Sequence, residues 1–146
     1  MAEAVRSIEV EVCPEKFFQV ITDFERYPEF LQAVGLRAIQ VLSRAEREVV
    51  VEHEVKLMGK GVKYTLRYAL EPASRLGWSL VTGNLMSVND GSWTLEPLEG
   101  GRRTRATYRL VMKVGVLVPA AIVTALAATQ LPAMLDAFKR RAEALA

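Results

Sequence analysis

The chain has 146 residues, 51% hydrophobic and 25% charged, as expected of one globular domain over residues 1–146 that buries its own core. A net charge of +2 and an isoelectric point near 8.8 are too mild to mark a DNA-binding protein. One cysteine, Cys13, excludes an internal disulfide and fits a reducing cytoplasm; one histidine, with no metal-spaced partner, leaves no metal or cofactor to expect.

Met1-Ala2-Glu3-Ala4 lacks the basic and apolar regions of a signal peptide. From Val5 to Val12, Ile8, Val10 and Val12 alternate with Ser7, Glu9 and Glu11, which predicts a half-buried strand. Cys13 follows as a small, partly buried residue. Pro14 opens a short helix that buries Phe17, Phe18 and Ile21. Asp23 is placed to cap a second short helix, which Tyr27-Pro28 ends.

Strands are predicted next over Leu36–Ser43 and Glu46–Leu57. In the latter, Val49, Val51, His53, Val55 and Leu57 share one face and Glu52, Glu54 and Lys56 the other. Met58-Gly59-Lys60-Gly61 reads as a turn. The following strand sets Val62, Tyr64, Leu66, Tyr68 and Leu70 against Lys63, Thr65 and Arg67. Pro72-Ala73-Ser74 breaks it. Gly77–Thr82 is a short strand, Asn89-Asp90-Gly91 a turn, and Ser92–Pro97 another strand. Gly100-Gly101 turns into the last strand, where Thr104, Ala106, Tyr108, Leu110 and Met112 oppose Arg103, Arg105, Thr107 and Arg109. Short turns between so many strands predict an antiparallel meander with one apolar face.

A cover for that face is expected from Pro119–Ala144, with Val123, Leu126, Gln130, Met134, Phe138 and Leu145 on one helical stripe. A continuous helix there is ~39 Å long, and Pro132 should bend it by removing the bond to the Ala128 carbonyl. Between Lys113 and Asp136 run 22 residues without charge, long enough to cross a bilayer. Gly115, Pro119, Gln130 and Pro132 within it, and its continuation of the strand alternation, favour a strand followed by a buried helix. A helix lying on a membrane surface is the other reading.

The predicted order is strand, two short helices, six strands, long helix. With the run Asp23-Phe24-Glu25-Arg26-Tyr27-Pro28-Glu29-Phe30 after the first helix, it resembles the START-like superfamily, also called Bet v 1-like, SRPBCC or helix-grip. The similarity is greatest to its polyketide cyclase/dehydrase and coenzyme-Q-binding branch. The resemblance implies an α+β helix-grip fold: a curved antiparallel sheet of about seven strands, two short helices and a long C-terminal helix over a cavity. Members bind lipids, quinones, sterols or polyketides there, as carriers or enzymes, and one bacterial branch is described as a toxin that blocks ribosome-subunit association. Pro132 and the apolar stretch Val114–Val118 depart from the family's usual C-terminal helix.

The expected cavity lining is His53, Tyr64, Tyr68, Trp78, Trp93, Tyr108, Met112, Leu126, Gln130 and Met134. His53 stands out as a polar residue among valines. It is read as a structural histidine, as a polar anchor for a ligand carbonyl or hydroxyl, or as a general acid or base without an evident carboxylate partner. Each aromatic reads first as core. Arg103, Arg105 and Arg109 are expected to pair on the outer sheet face with Glu52, Glu54 and Glu71, RNA or an anionic membrane surface being the alternative partner. No phosphate loop, dinucleotide fingerprint or nucleophile elbow occurs. The leading expectation is a carrier or chaperone for a hydrophobic molecule. A polyketide cyclase or dehydratase and a ribosome-interacting protein are the alternatives, and no catalytic residues are assigned.

Overall fold

The computed structural model describes residues 2–57, 59–115 and 130–145. Strand β1 (Ala2–Val10) leads to helix α1 (Pro14–Thr22). A 3₁₀ turn (Phe24–Arg26), helix α2 (Pro28–Leu31) and a second 3₁₀ turn (Gln32–Val34) follow. Six strands come next: β2 (Leu36–Arg44), β3 (Glu48–Leu57), β4 (Lys60–Glu71), β5 (Arg75–Gly83), β6 (Met86–Leu98) and β7 (Arg103–Val114). Helix α3 (Leu131–Ala144) completes the described chain.

The strands form one antiparallel sheet in the order β1-β7-β6-β5-β4-β3-β2. The chain leaves β1, crosses through α1 and α2 to the far edge, and meanders back, so the first strand pairs with the last. Register shifts break the pairing twice between β2 and β3 and once each in β4–β5 and β6–β7. Such bulges add twist and bend the strand that carries them. The sheet therefore curves around one side, which α1, α2 and α3 cover.

Strand parity sorts the side chains as the sequence requires. Val49, Val51, Leu66, Tyr68, Leu76, Trp93, Leu95, Ala106 and Tyr108 are buried on the inner face. Phe17, Ile21 and Phe24 descend onto them and are fully buried. Phe17 meets Trp93 edge to face at 5.3 Å, and Phe24 lies 4.5 Å from the Tyr68 ring. The offset and edge contacts of these rings are the arrangements their quadrupoles favour.

Several expectations change. Asn89-Asp90-Gly91 is no turn but the middle of β6; the reversal lies earlier, at Asn84-Leu85, with Leu85 at a φ of 61°. Pro28 opens α2 instead of ending a helix, because proline at a first helical position removes an amide that has no partner anyway. Asp23 makes no side-chain cap and instead pairs with Arg26. The buried stripe of α3 is Leu131, Leu135, Phe138 and Ala142, and Leu145 is 55% exposed. Val123, Leu126, the helix start at Pro119 and the bend at Pro132 against Ala128 depend on residues 116–129, outside the described residues.

The arginines of β7 do pair with glutamates, but with different ones. Arg103 bridges Glu9 and Glu11, both at 2.8 Å, Arg105 reaches Glu96, and Arg109 meets Glu3. The reason is topological: β7 lies between β1 and β6, whereas Glu52 and Glu54 stand on β3, far across the sheet. Glu71 pairs instead with Arg75. On the opposite side, α3 ties itself to β1, where Lys139 donates to the Glu9 carbonyl and Glu143 accepts the Glu11 amide. No described helix is long and apolar enough to cross a membrane.

Candidate functional site: an aromatic-lined cavity

The sheet and α3 do not meet in a solid core along their whole length. Between them lies a cavity of about 660 Å³. The sheet supplies its floor through β3 (His53, Val55), β4 (Tyr64, Leu66, Tyr68), β5 (Leu76, Trp78), β6 (Met86, Asn89, Trp93) and β7 (Tyr108, Leu110, Met112). The segment around α2 adds Tyr27, Leu31 and Val34, and the helical end of the chain adds Gln130, Leu131, Met134 and Phe138. Exposed Glu3 and Lys113 mark its mouth.

Nine of the ten residues expected at the lining stand there: His53, Tyr64, Tyr68, Trp78, Trp93, Tyr108, Met112, Gln130 and Met134. Leu126 lies outside the described residues. The inward parity of the strands brings the floor residues together, and the α3 stripe brings the rest. The lining also takes in Tyr27, Asn89 and Phe138, which the expected set lacks. The Asp23–Phe30 run reads first as packing and otherwise as a short helix bordering the cavity entrance, Asn89 falls in what reads as a turn, and Phe138 falls on the stripe of the covering helix.

Around the cavity the aromatic rings form a continuous chain. Tyr68 lies 5.9 Å from Trp78, Trp78 lies 5.3 Å from Tyr108, and Tyr108 meets Trp93 edge to face at 5.0 Å. Trp93 then meets Phe138 of α3 at 5.5 Å. Met86, Met112 and Met134 add flexible thioethers that adapt to a guest's shape.

The polar groups of this wall are few. His53 is 4% exposed, its ring stacked 4.8 Å from Tyr64 and nearly parallel to it. Its Nε2 and the Tyr68 hydroxyl are 3.0 Å apart, whereas Nδ1 has no hydrogen-bond partner among the described residues. Burial lowers the His53 pKa from 6.5 to about 4, and the backbone groups of Val51 and Tyr64 oppose this too weakly to reverse it. The imidazole is therefore neutral at pH 7. Burial likewise raises Tyr64 to about 12 and raises Tyr68 and Tyr108, so their hydroxyls stay protonated. Tyr27 donates to the Ile21 carbonyl. Trp78 donates its indole N–H to Asn89 Oδ1 at 3.1 Å.

Gly91 makes this last pair possible. A Cβ there would lie 2.5 Å from the Trp78 ring and 2.3 Å from the Arg109 carbonyl. The bare backbone lets the indole lie flat across β6, two residues from its acceptor. Glu3 is the one acidic residue among the described lining residues, and it is paired with Arg109. Among the described residues there is no cluster of His, Cys, Asp and Glu that could hold a metal.

A curved antiparallel sheet gripping a C-terminal helix around an aromatic cavity is a helix-grip fold. The chain belongs to the family of polyketide cyclases/dehydrases and lipid transport, which matches residues 10–139. It is 31% identical over 99 residues to the ribosome association toxin RatA of Vibrio cholerae, which covers 68% of this chain and 67% of that one. Its fold is similar to a START superfamily protein from Mycobacterium smegmatis, with a TM-score of 0.84, 20% identity and 99% of both chains covered. It is also similar to the ZhuI aromatase/cyclase of Streptomyces sp. R1128, with a TM-score of 0.83, 19% identity and 97% and 93% of the two chains covered.

Proposed function

We propose that the protein binds a hydrophobic small molecule, of the lipid, quinone or polyketide-like kind, inside this cavity and carries or shields it in the cytoplasm. The observation that carries the reading is the cavity of about 660 Å³ standing where the sheet and helix would otherwise close a core. Its size falls within the range of ligand sites, roughly 300–1,000 Å³, and its wall is mainly apolar and aromatic. Each 100 Å² of apolar ligand surface taken from water stabilises the complex by about 2.5 kcal/mol before the costs of association. The family's description includes lipid transport.

Carriage is favoured over cyclisation because no unpaired carboxylate stands among the described lining residues: Glu3, the one acidic residue there, is paired with Arg109 at the mouth. The cyclase reading keeps His53 and the protonated tyrosine hydroxyls as its candidate base and acids. The test is native mass spectrometry of the protein purified from its own host. A co-purifying apolar molecule of defined mass is expected. Protein that is bare and takes up no hydrophobic dye would overturn the reading.

The similarity to a ribosome association toxin supports a second reading, in which the ribosome is the partner. Co-sedimentation with ribosomal subunits, lost as salt is raised, would support it. The glutamate pairing of Arg103, Arg105 and Arg109 weighs against the outer face of β7 as the contact surface. Transient contact with a membrane during loading belongs to the carrier reading, with release into lipid vesicles as its measurement.

A further inference from the structure

The helical side of the molecule holds a second hollow, which shares no described lining residue with the cavity under the sheet. Helix α1 presents Lys16, Gln19, Val20 and Asp23 to it, a spacing of three and four that sets them on one face. The last turn of α3 faces them with Arg141, Ala142 and Leu145, and Arg26 and Phe30 complete the lining. The walls are thus the flanks of two helices, and the groove between them measures about 160 Å³. A dry apolar cavity of about 150 Å³ is enough to hold a benzene ring.

The apolar part of this groove is firm. Val20 is 8% and Ala142 1% exposed. Phe30 is held edge to face against Tyr27 at 5.9 Å and Phe138 at 5.2 Å, so its ring is a fixed wall. Leu145, by contrast, leaves 55% of its surface in water at the edge.

The charges are uneven. Three cations line the groove against one carboxylate, Asp23. Arg26 is engaged by Asp23 at 3.2 Å and by Glu29 at 3.3 Å. Arg141 is bound to Glu29 at 2.8 Å and lies over the Phe30 ring at 5.3 Å. Lys16 makes no ion pair among the described residues; its ammonium donates only to the Leu145 carbonyl, at 3.4 Å. One positive charge is left over, beside an apolar slot the size of a ring.

We propose that this groove is a second ligand site, for a small aromatic carboxylate. The ring rests on Val20, Phe30 and Ala142 and covers Leu145, and the carboxylate accepts from Lys16 Nζ. The proposal goes beyond the carrier reading and stands whatever the cavity under the sheet holds. The same charges repel an amine, and a neutral ring forgoes the charge-assisted bond.

The test is a titration followed by backbone amide chemical shifts, with phenylacetate, phenylacetamide and benzylamine as probes of one shape and three charges. Phenylacetate should shift the amides of Gln19, Phe30 and Ala142. It should half-saturate at about fivefold lower concentration than phenylacetamide, the gain of one exposed ion pair. Benzylamine should bind more weakly than either. Lys16→Met keeps the aliphatic stem and should erase the difference between the acid and the amide. Equal binding of the three probes overturns the charge preference, and a preference that survives Lys16→Met overturns the role of that residue. Shifts centred on Trp78 and Trp93, or no shifts at all, overturn the site. The comparison of probes on the unaltered protein needs no variant to fold.

Discussion

His53 shows how a single side chain couples burial to pH. The unfolded chain binds its proton near pH 6.5, whereas the folded chain resists until about pH 4. The extra proton thus belongs to the unfolded state within that window, and stability falls as pH drops through it. Above pH 6.5 the contribution is constant. By pH 4 the loss from this group is about 3 kcal/mol. Urea unfolding across pH 4–7 should show the decline, and His53→Gln should flatten it relative to the parent. Gly91 gives a second expectation. Gly91→Ala drives a methyl into Trp78 and the Arg109 carbonyl, so unfolding in urea should register a loss of about 3 kcal/mol. His53 was legible from strand alternation alone, because parity placed it among valines. Asn89 and Gly91 were not. Asn-Asp-Gly is a strong turn signal, and here the glycine serves the close approach of an indole that only the folded sheet brings near.

At the scale of elements, the wall of the cavity depends on how α3 is seated. Phe138 is the hinge pin of that seat: it meets Tyr27 at 5.3 Å, Phe30 at 5.2 Å and Trp93 at 5.5 Å, linking the helix to both α2 and the sheet. Phe138→Ala should cost about 4 kcal/mol in a denaturant titration, the range for removing a buried aromatic. It should also weaken dye binding, since one wall is lost. The strands were readable because each alternates with period two. The short helices were read less well. Tyr27-Pro28 looks like a stop, yet proline's fixed φ suits the first turn of the next helical segment. In α3, Gln130, Met134 and Phe138 of the expected stripe line the cavity together with Leu131, whereas Leu135 and Ala142 are buried outside that lining. A helix that lines a void on one flank and packs on the other has two apolar faces, and periodicity alone does not separate them.

For the whole molecule, the cavity of about 660 Å³ opens to solvent at a mouth marked by Glu3 and Lys113, so a guest can enter it. A guest that binds the folded chain alone should raise the melting temperature. At a hundredfold excess over Kd, the gain is about 2.7 kcal/mol, readable in a thermal shift with a host extract. Sequence periodicity supplied the sheet and its covering helix, while the resemblance in element order implied a space between them. Volume itself has no sequence signal, because a lining residue and a core residue obey the same parity.

The register shifts that curve the sheet have another effect. An open sheet leaves two rows of backbone groups that invite a neighbouring chain to add a strand. At one end α3 uses Lys139 and Glu143 to engage the Glu9 carbonyl and the Glu11 amide beside β1. At the other, β2 is interrupted between Leu36 and Ala38 and again between Val41 and Ser43. A strand with two such interruptions offers no long straight template. The distortions that hollow the protein out thus also discourage it from polymerising edge to edge.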